Sequence, residues 1–443
     1  MLRRSLPVWL VLVCVAGPPA RAQLPFARDL IPGRTPLERT GLERTWFSVI
    51  PLIGSERLVQ ISRTSDLLFA QTSLARLHTI DPETGRILWS AEMGGRTGFA
   101  AGTAANTWAV FATSANTLYG LDRGTGRMLW KVDLGTLPSS TPACDDSRVL
   151  VGMSDGMMKA FRLKYLDNKG SEHIYDKPIP LWSYHAGKAI TTRPLPAEKL
   201  VAFGGGDHKA WVVLADDPTV IYRFTTGGAI GEGLGAYGAR TLLIPSADKL
   251  LYATDLVTAK PLWNFPSGAP IEQAPLVAGE DIYVINTEGS LSSLDPKSGE
   301  PRWTISTQGG QLIAVSPTKV YLRSYNLDLF VVDRVTGRIV IDPAATHLRA
   351  GLNLREYPLY LVNRFNDRIY LGTRSGLILA LREIGQVRPQ LLRDPKQPPF
   401  GFIPPEGIEL NPPPPPETPA ENTTPEPAAD AAAPAGGEAN PQS

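Results

Sequence analysis

The stretch Leu118–Trp130, LYGLDRGTGRMLW, decides the architecture of this chain. Apolar and polar residues alternate up to Asp122, as they do in a half-buried strand. The next residues, to Gly126, form a tight turn: the Asp122 carboxylate can accept from turn N–H groups, and Gly126 supplies a positive φ. Four residues after that glycine stands Trp130, placed to pack between neighbouring sheets and to donate its indole N–H across the gap. The unit is a β-hairpin with a bulky anchor.

Working outward, the pattern recurs at Leu77–Trp89 (LHTIDPETGRILW), with Asp81, Gly85 and Trp89 in the same places. Weaker copies are Leu251–Trp263, Leu291–Trp303 (Asp295, Gly299) and Leu329–Ile341 (Asp333, Gly337). A longer copy runs from Met158 to Trp182, and one from Lys209 to Tyr222 keeps only the alternation. The intervals hold two further strands. After Trp263 come a Pro/Ser/Gly link, the small-residue stretch Ala274–Ala278 and the strand Asp281–Asn286, and the same order follows Trp130. One repeat is therefore four strands with turn signals about every ten residues, which is a propeller blade. A helical solenoid would show a period of 3.6 residues, and none is present.

Counting on the Trp position of the fourth strand gives Trp89, Trp130, Trp182, Tyr222, Trp263, Trp303 and Ile341. Three more strands follow, at Tyr357–Arg364, Arg368–Thr373 and Leu377–Glu383, with no fourth. Thr45–Pro51 is a strand without a hairpin partner, and its Trp46 stands 43 residues before Trp89. The expectation is an all-β, eight-bladed β-propeller of four-stranded antiparallel blades, the last closed by this N-terminal strand; seven blades with a ragged terminus is the alternative. Closure removes the open sheet edges that invite aggregation.

The domain boundaries follow from composition. Residues 1–22 read as a secretory signal: Arg3 and Arg4, then the apolar Leu6–Ala16, then Ala20-Arg21-Ala22 for the peptidase. That apolar run is 11 residues, too short to span a bilayer, and Cys14 lies between Val13 and Val15, where a lipobox needs a small residue just before the cysteine. Residues 23–44 read as a linker and 45–396 as the propeller. Residues 397–443 carry the run Pro412–Pro416 and seven acidic residues with no Lys or Arg, and read as a disordered tail that Phe400 and Phe402 could pin. Cleavage leaves Cys144 as the one cysteine, a small buried hydrophobe without a disulfide. With a formal net charge of +1 and scattered basic residues, neither nucleic acid nor an anionic membrane surface is an expected partner.

The motif Leu-x-x-Leu-Asp-x-x-Thr-Gly-x-x-x-Trp resembles the pyrroloquinoline-quinone (PQQ) repeat family over roughly Thr45 to Glu383. That family includes quinoprotein dehydrogenases and propellers that bind no quinone. The enzymes carry an adjacent Cys-Cys pair, Ca²⁺ ligands and a carboxylate base; here no Cys-Cys exists, and Asp81, Asp122, Asp255, Asp295 and Asp333 are turn residues spread round the ring. The remaining branch is similar to the BamB-type propeller subunits of the outer-membrane β-barrel assembly machinery. Those are lipoproteins, and this chain shows no lipobox, so the resemblance implies a soluble BamB-like protein of the periplasm or cell envelope.

No active site is legible. His78, His173, His185, His208 and His347 show no metal-ligand spacing, and Gly204–Asp207 imitates a phosphate loop without a following helix. The expectation is a monomeric, non-catalytic interaction scaffold with no cofactor and no metal, whose partners are envelope proteins, outer-membrane assembly components among them. A PQQ-dependent or other propeller enzyme is one alternative, and a small-ligand or carbohydrate sensor using the central channel is the other. The links from each fourth strand to the next first strand gather on one face and vary from blade to blade. Arg96, Lys188, Arg193, Glu232, Glu272, Gln273, Gln311 and Arg355 lie there and are the candidate partner-binding residues.

Overall fold

A computed structural model describes residues 30–94, 100–307 and 309–393. Among the described residues it forms eight sheets, each of four antiparallel strands. Seven of them use four strands consecutive in the chain, from Leu58–Glu92 in blade 1 to Gln311–Ile341 in blade 7. Blade 8 takes its inner three strands, Leu359–Tyr360, Ile369–Gly372 and Leu377–Glu383, from the end of the propeller and its outer strand, Leu42–Val49, from the beginning. That outer strand pairs antiparallel with Leu377–Glu383, from Leu42 opposite Glu383 to Val49 opposite Leu377. The expected N-terminal closure is therefore the observed one, with the strand starting at Leu42. Before it, within the stretch expected to be linker, Arg34–Glu38 is a short helix whose Leu37 is buried in the core.

The core is not central. Eight separate apolar clusters lie one per seam between neighbouring blades, because each strand alternates its side chains between two faces and each face meets the next sheet. Second and third strands are accordingly buried on both faces, as in Leu68–Thr72 and Ala109–Ser114, where every residue is buried. Fourth strands form the rim and alternate: Ile87–Glu92 buries Trp89 and Ala91 and exposes Leu88, Ser90 and Glu92.

The repeated motif acts at these seams. Each motif glycine has positive φ (Gly85 73°, Gly126 73°, Gly299 74°, Gly337 70°) and lies under the tryptophan of the preceding blade. A Cβ on Gly126 would sit 2.4 Å from the Trp89 ring, and one on Gly85 2.4 Å from Trp46. Glycine is thus required twice, for backbone conformation and for ring approach. The indole N–H then donates to the carbonyl one residue after the next blade's motif Asp: Trp46 to Pro82 (2.9 Å), Trp89 to Arg123 (2.8 Å), Trp263 to Pro296 (2.9 Å) and Trp303 to Arg334 (3.0 Å). Trp182 reaches the Ala215 carbonyl in a blade that lacks the motif, and the Tyr222 hydroxyl donates to Asp255.

Trp130 departs from this expectation. It is buried and stacks on Phe111 (ring centroids 5.7 Å apart), but makes no indole hydrogen bond among the described residues. Its neighbour, blade 3, has no Asp-x-x-Thr-Gly turn; there Met157–Leu166 and Glu172–His185 extend into a long hairpin arm, and the waiting carbonyl is missing.

Candidate functional site

The two faces of the ring hold their charges differently. On the hairpin face the motif carboxylates are engaged locally. Asp81 Oδ1 accepts from the N–H groups of Glu83 (2.9 Å) and Thr84 (2.8 Å), and Asp333 Oδ1 from the N–H (2.9 Å) and hydroxyl (2.8 Å) of Thr336. The Thr125 hydroxyl and backbone bonds hold the Asp122 carboxyl below its ordinary range, and the Lys297 N–H does the same for Asp295. Arginines after two of these aspartates stitch the blades together: Arg123 pairs with Asp66, and Arg334 with Asp281 (2.9 Å).

The opposite face is built by the links between blades and the turns between second and third strands. The Lys188 carbonyl lies against Gly156, and the Ala189 carbonyl against Gly205, each in such a turn. Gly204–Asp207 is accordingly a tight turn, leading into His208 at φ 63°.

The candidate residues divide. Lys188, Glu232 and Glu272 are exposed, and their side chains make no hydrogen bond or ion pair among the described residues. Lys188 borders a shallow hollow with Asp207, His208 and Lys209. Gln311 is exposed and accepts from the Tyr360 hydroxyl, and Arg355 is held by Asp328 (2.9 Å). Gln273 is a clamp: its Nε2 donates to the Leu312 carbonyl (2.7 Å) and its Oε1 accepts from the Leu312 N–H (3.1 Å), joining blade 6 to blade 7 as a strand residue would. Arg193 is half-buried at the channel, paired by a backbone bridge with Gly233. Arg96 lies outside the described residues.

Sequence reasoning missed Arg364, whose Nη2 lies 3.6 Å from where a Cβ of Gly233 would be. It follows blade 8's short inner strand, so it reads there as an ordinary strand-end arginine, and no repeat signal marks it.

No group of three or more His, Cys, Asp or Glu among the described residues could hold a metal ion. Burial, with Arg76 nearby, pushes the His78 imidazole down to about 4; its Nδ1 meets Ser90 Oγ at 2.7 Å. Burial likewise pushes the half-buried Cys144 thiol up to about 12, which makes it a poor nucleophile. His173 is paired with Asp167 (3.0 Å) on the hairpin arm.

A closed ring of eight four-stranded blades, seamed by Asp-x-x-Thr-Gly turns and indole anchors, defines a PQQ-like repeat propeller. Within that class, the chain belongs to the family described as outer membrane protein assembly factor BamB, matched over residues 73–217 and 208–395. It is 21% identical over 179 residues to outer membrane protein assembly factor BamB of Shewanella oneidensis, covering 35% of this chain. That match spans 44% of the curated relative's length, less than half of it. In structure it is similar to BamB from Moraxella catarrhalis (TM-score 0.60, 15% identity, 78% of this chain and 98% of that one). The computationally designed Ika8 protein gives TM-score 0.57 at 14% identity, over 74% of this chain and 96% of that one. The Sqt1 protein of Saccharomyces cerevisiae gives TM-score 0.58 at 8% identity, over 76% and 98%. These likenesses show the fold.

Proposed function

We propose that this protein is a non-catalytic docking platform of the cell envelope, serving the assembly of outer-membrane proteins and engaging its partner through the link face. The observation that carries the reading is the contrast between the faces. The hairpin-face carboxylates are engaged by their own turns, whereas the side chains of Lys188, Glu232 and Glu272 on the link face stand exposed with no hydrogen bond or ion pair among the described residues. Unengaged side chains that differ from blade to blade can encode recognition, and turn-forming ones cannot. Membership of the BamB family supports the assembly role. On this reading residues 1–22 direct export and are removed, so the mature chain starts at Gln23.

The test compares two alanine clusters in pulldowns from envelope extract. One is Lys188/Glu232/Glu272; the other is Arg86/Arg127/Arg338, exposed on the hairpin face. Both variants keep their melting temperature, and only the first loses the captured partner. Loss of capture by the hairpin-face cluster alone would put the docking surface on the wrong side of the ring.

A further inference from the structure

The position two residues ahead of the first strand repeats round the channel. In blades 2 to 6 it is occupied by Ala101, Thr141, Arg193, Gly233 and Ala274. Small residues suit a place where strands converge, so the guanidinium of Arg193 is the exception. A second guanidinium meets it from across the ring. Arg364 belongs to blade 8, yet its Nη2 reaches the Gly233 position in blade 5, next to the Arg193–Gly233 bridge. Neither guanidinium makes a hydrogen bond or ion pair among the described residues. Burial is the main cause that lowers both groups; Arg364 is brought down to about 10, with repulsion from Arg193 adding to this and Glu232 opposing it. Glu232 acts on Arg364 and not on Arg193, which leaves positive charge uncompensated in a confined channel, where water screens little.

We propose that the central channel is a carboxylate site in which Arg193 and Arg364 grip acidic side chains of an extended peptide. Guanidinium forks match carboxylates by paired N–H donation, which a lone ammonium cannot do. The site does not depend on the docking role argued above. Two sources can present this chemistry, the chain's own acidic segment or an acidic segment of a partner, and the course of the chain favours the first. Leu392 N–H donates to the carbonyl of Phe365, the residue after Arg364, and the Leu392 carbonyl accepts from Gly279 on the hairpin face. The chain therefore leaves the ring beside the channel. Beyond it, residues 397–443 hold seven acidic residues and no Lys or Arg. The first of these, Glu406, is 13 residues past Arg393, enough for a reach of up to about 40 Å. A channel one blade strand deep is roughly 20 Å.

The probe is a fluorescein-labelled peptide of residues 404–431, measured by anisotropy against the full chain and against a chain ended at Lys396. The eight sheets and their apolar clusters lie within residues 30–393, so the shortened chain keeps its ring. The shortened chain binds the peptide, and Arg193→Gln or Arg364→Gln weakens binding by at least about tenfold. A peptide with every Glu and Asp changed to Gln and Asn fails to bind, which tests the site even if an arginine variant misfolds. Binding at least about tenfold weaker to the full chain identifies its own tail as the occupant; equal binding to both chains identifies an outside partner at the same site. Absence of binding to the shortened chain, or binding indifferent to both arginines, overturns the proposal.

Discussion

The seam between blades 8 and 1 and the seam between blades 2 and 3 both bury a tryptophan, but they use it differently. At the first, Trp46 lies on Gly85 and donates to the Pro82 carbonyl, which also accepts from the Tyr370 hydroxyl (3.2 Å). Arg63 adds a buried polar network, with Nη1 donating to Asn366 (2.7 Å) and Tyr370 (3.1 Å). At the second, Trp130 stacks on Phe111 and covers Gly120, with no indole bond among the described residues. The motif's parts are therefore separable. Apolar burial is kept at both seams; the indole bond, which Trp89, Trp263 and Trp303 also make at their seams, is what the second seam lacks among the described residues. The seam where blade 8 is assembled from both ends of the chain adds the Tyr370 donor and the Arg63 network to it.

The largest test of that difference is to remove the closing strand. Deleting residues through Pro51 takes away the Leu42–Val49 ladder and the Trp46 anchor together, leaving an open edge on Leu377–Glu383. Cooperative thermal unfolding should be lost. Trp130→Ala, at the other seam, should leave a folded ring that is less stable by about 3–5 kcal/mol in denaturant titration. A truncated chain that melts no earlier than Trp130→Ala would show that the clasp is not what closes the ring.

Acid separates the seams next. Glu56 is buried and holds Arg76, whose Nη2 also donates to the Pro51 carbonyl (2.7 Å), so this pair fixes the segment between the closing strand and blade 1. Burial alone would raise the Glu56 carboxyl; hydrogen bonds from Arg76, Thr72 and the Ile53 N–H outweigh it and hold the group at about 2 instead of 4.5. A depressed folded value contributes stability that is complete above the unfolded value and is lost as pH falls through the window from about 4.5 to 2. The difference corresponds to about 3 kcal/mol. Glu56→Gln should therefore flatten the decline of melting temperature across that window, and an unchanged decline would remove Glu56 from the account.

Glycine gives a smaller contrast. Gly85 and Gly170 both have positive φ, but a Cβ at Gly85 meets the Trp46 ring and one at Gly170, on the hairpin arm, meets nothing within 4 Å. Gly85→Ala should cost about 3 kcal/mol and Gly170→Ala about 1, the excess measuring ring contact over backbone strain. Equal losses would mean that conformation alone conserves the geometry.

How much of this was legible depended on repetition. Asp, Gly and Trp recur at fixed offsets because each turn and each seam poses the same steric problem, so the blades, their number and the closing strand can be read from the chain. The indole acceptor is legible only where the next blade repeats the motif, which is why Trp130 misled. The link face has no such rule. Gln273 reads as a free amide, and only the folded ring brings Leu312 to it across a seam. Arg193 and Arg364 are 171 residues apart, and nothing local marks either as facing the other across a channel.

The finest test isolates the indole bond itself. Trp46→Phe and Trp130→Phe remove similar volumes from buried sites, so their packing losses should be nearly the same. Only Trp46 also loses a hydrogen bond, and its acceptor is not orphaned, because Tyr370 still donates to the Pro82 carbonyl. The penalty for an unsatisfied buried carbonyl is thereby avoided, and the excess loss should be about 1 kcal/mol, the net value of one hydrogen bond. In Tyr370→Phe protein that carbonyl depends on Trp46 alone, and the same Trp46→Phe change should then cost about 1–3 kcal/mol more than Trp130→Phe. If the excess stays the same with and without the tyrosine hydroxyl, the two donors act independently, and the clasp owes its advantage to the β-ladder instead of to the shared carbonyl.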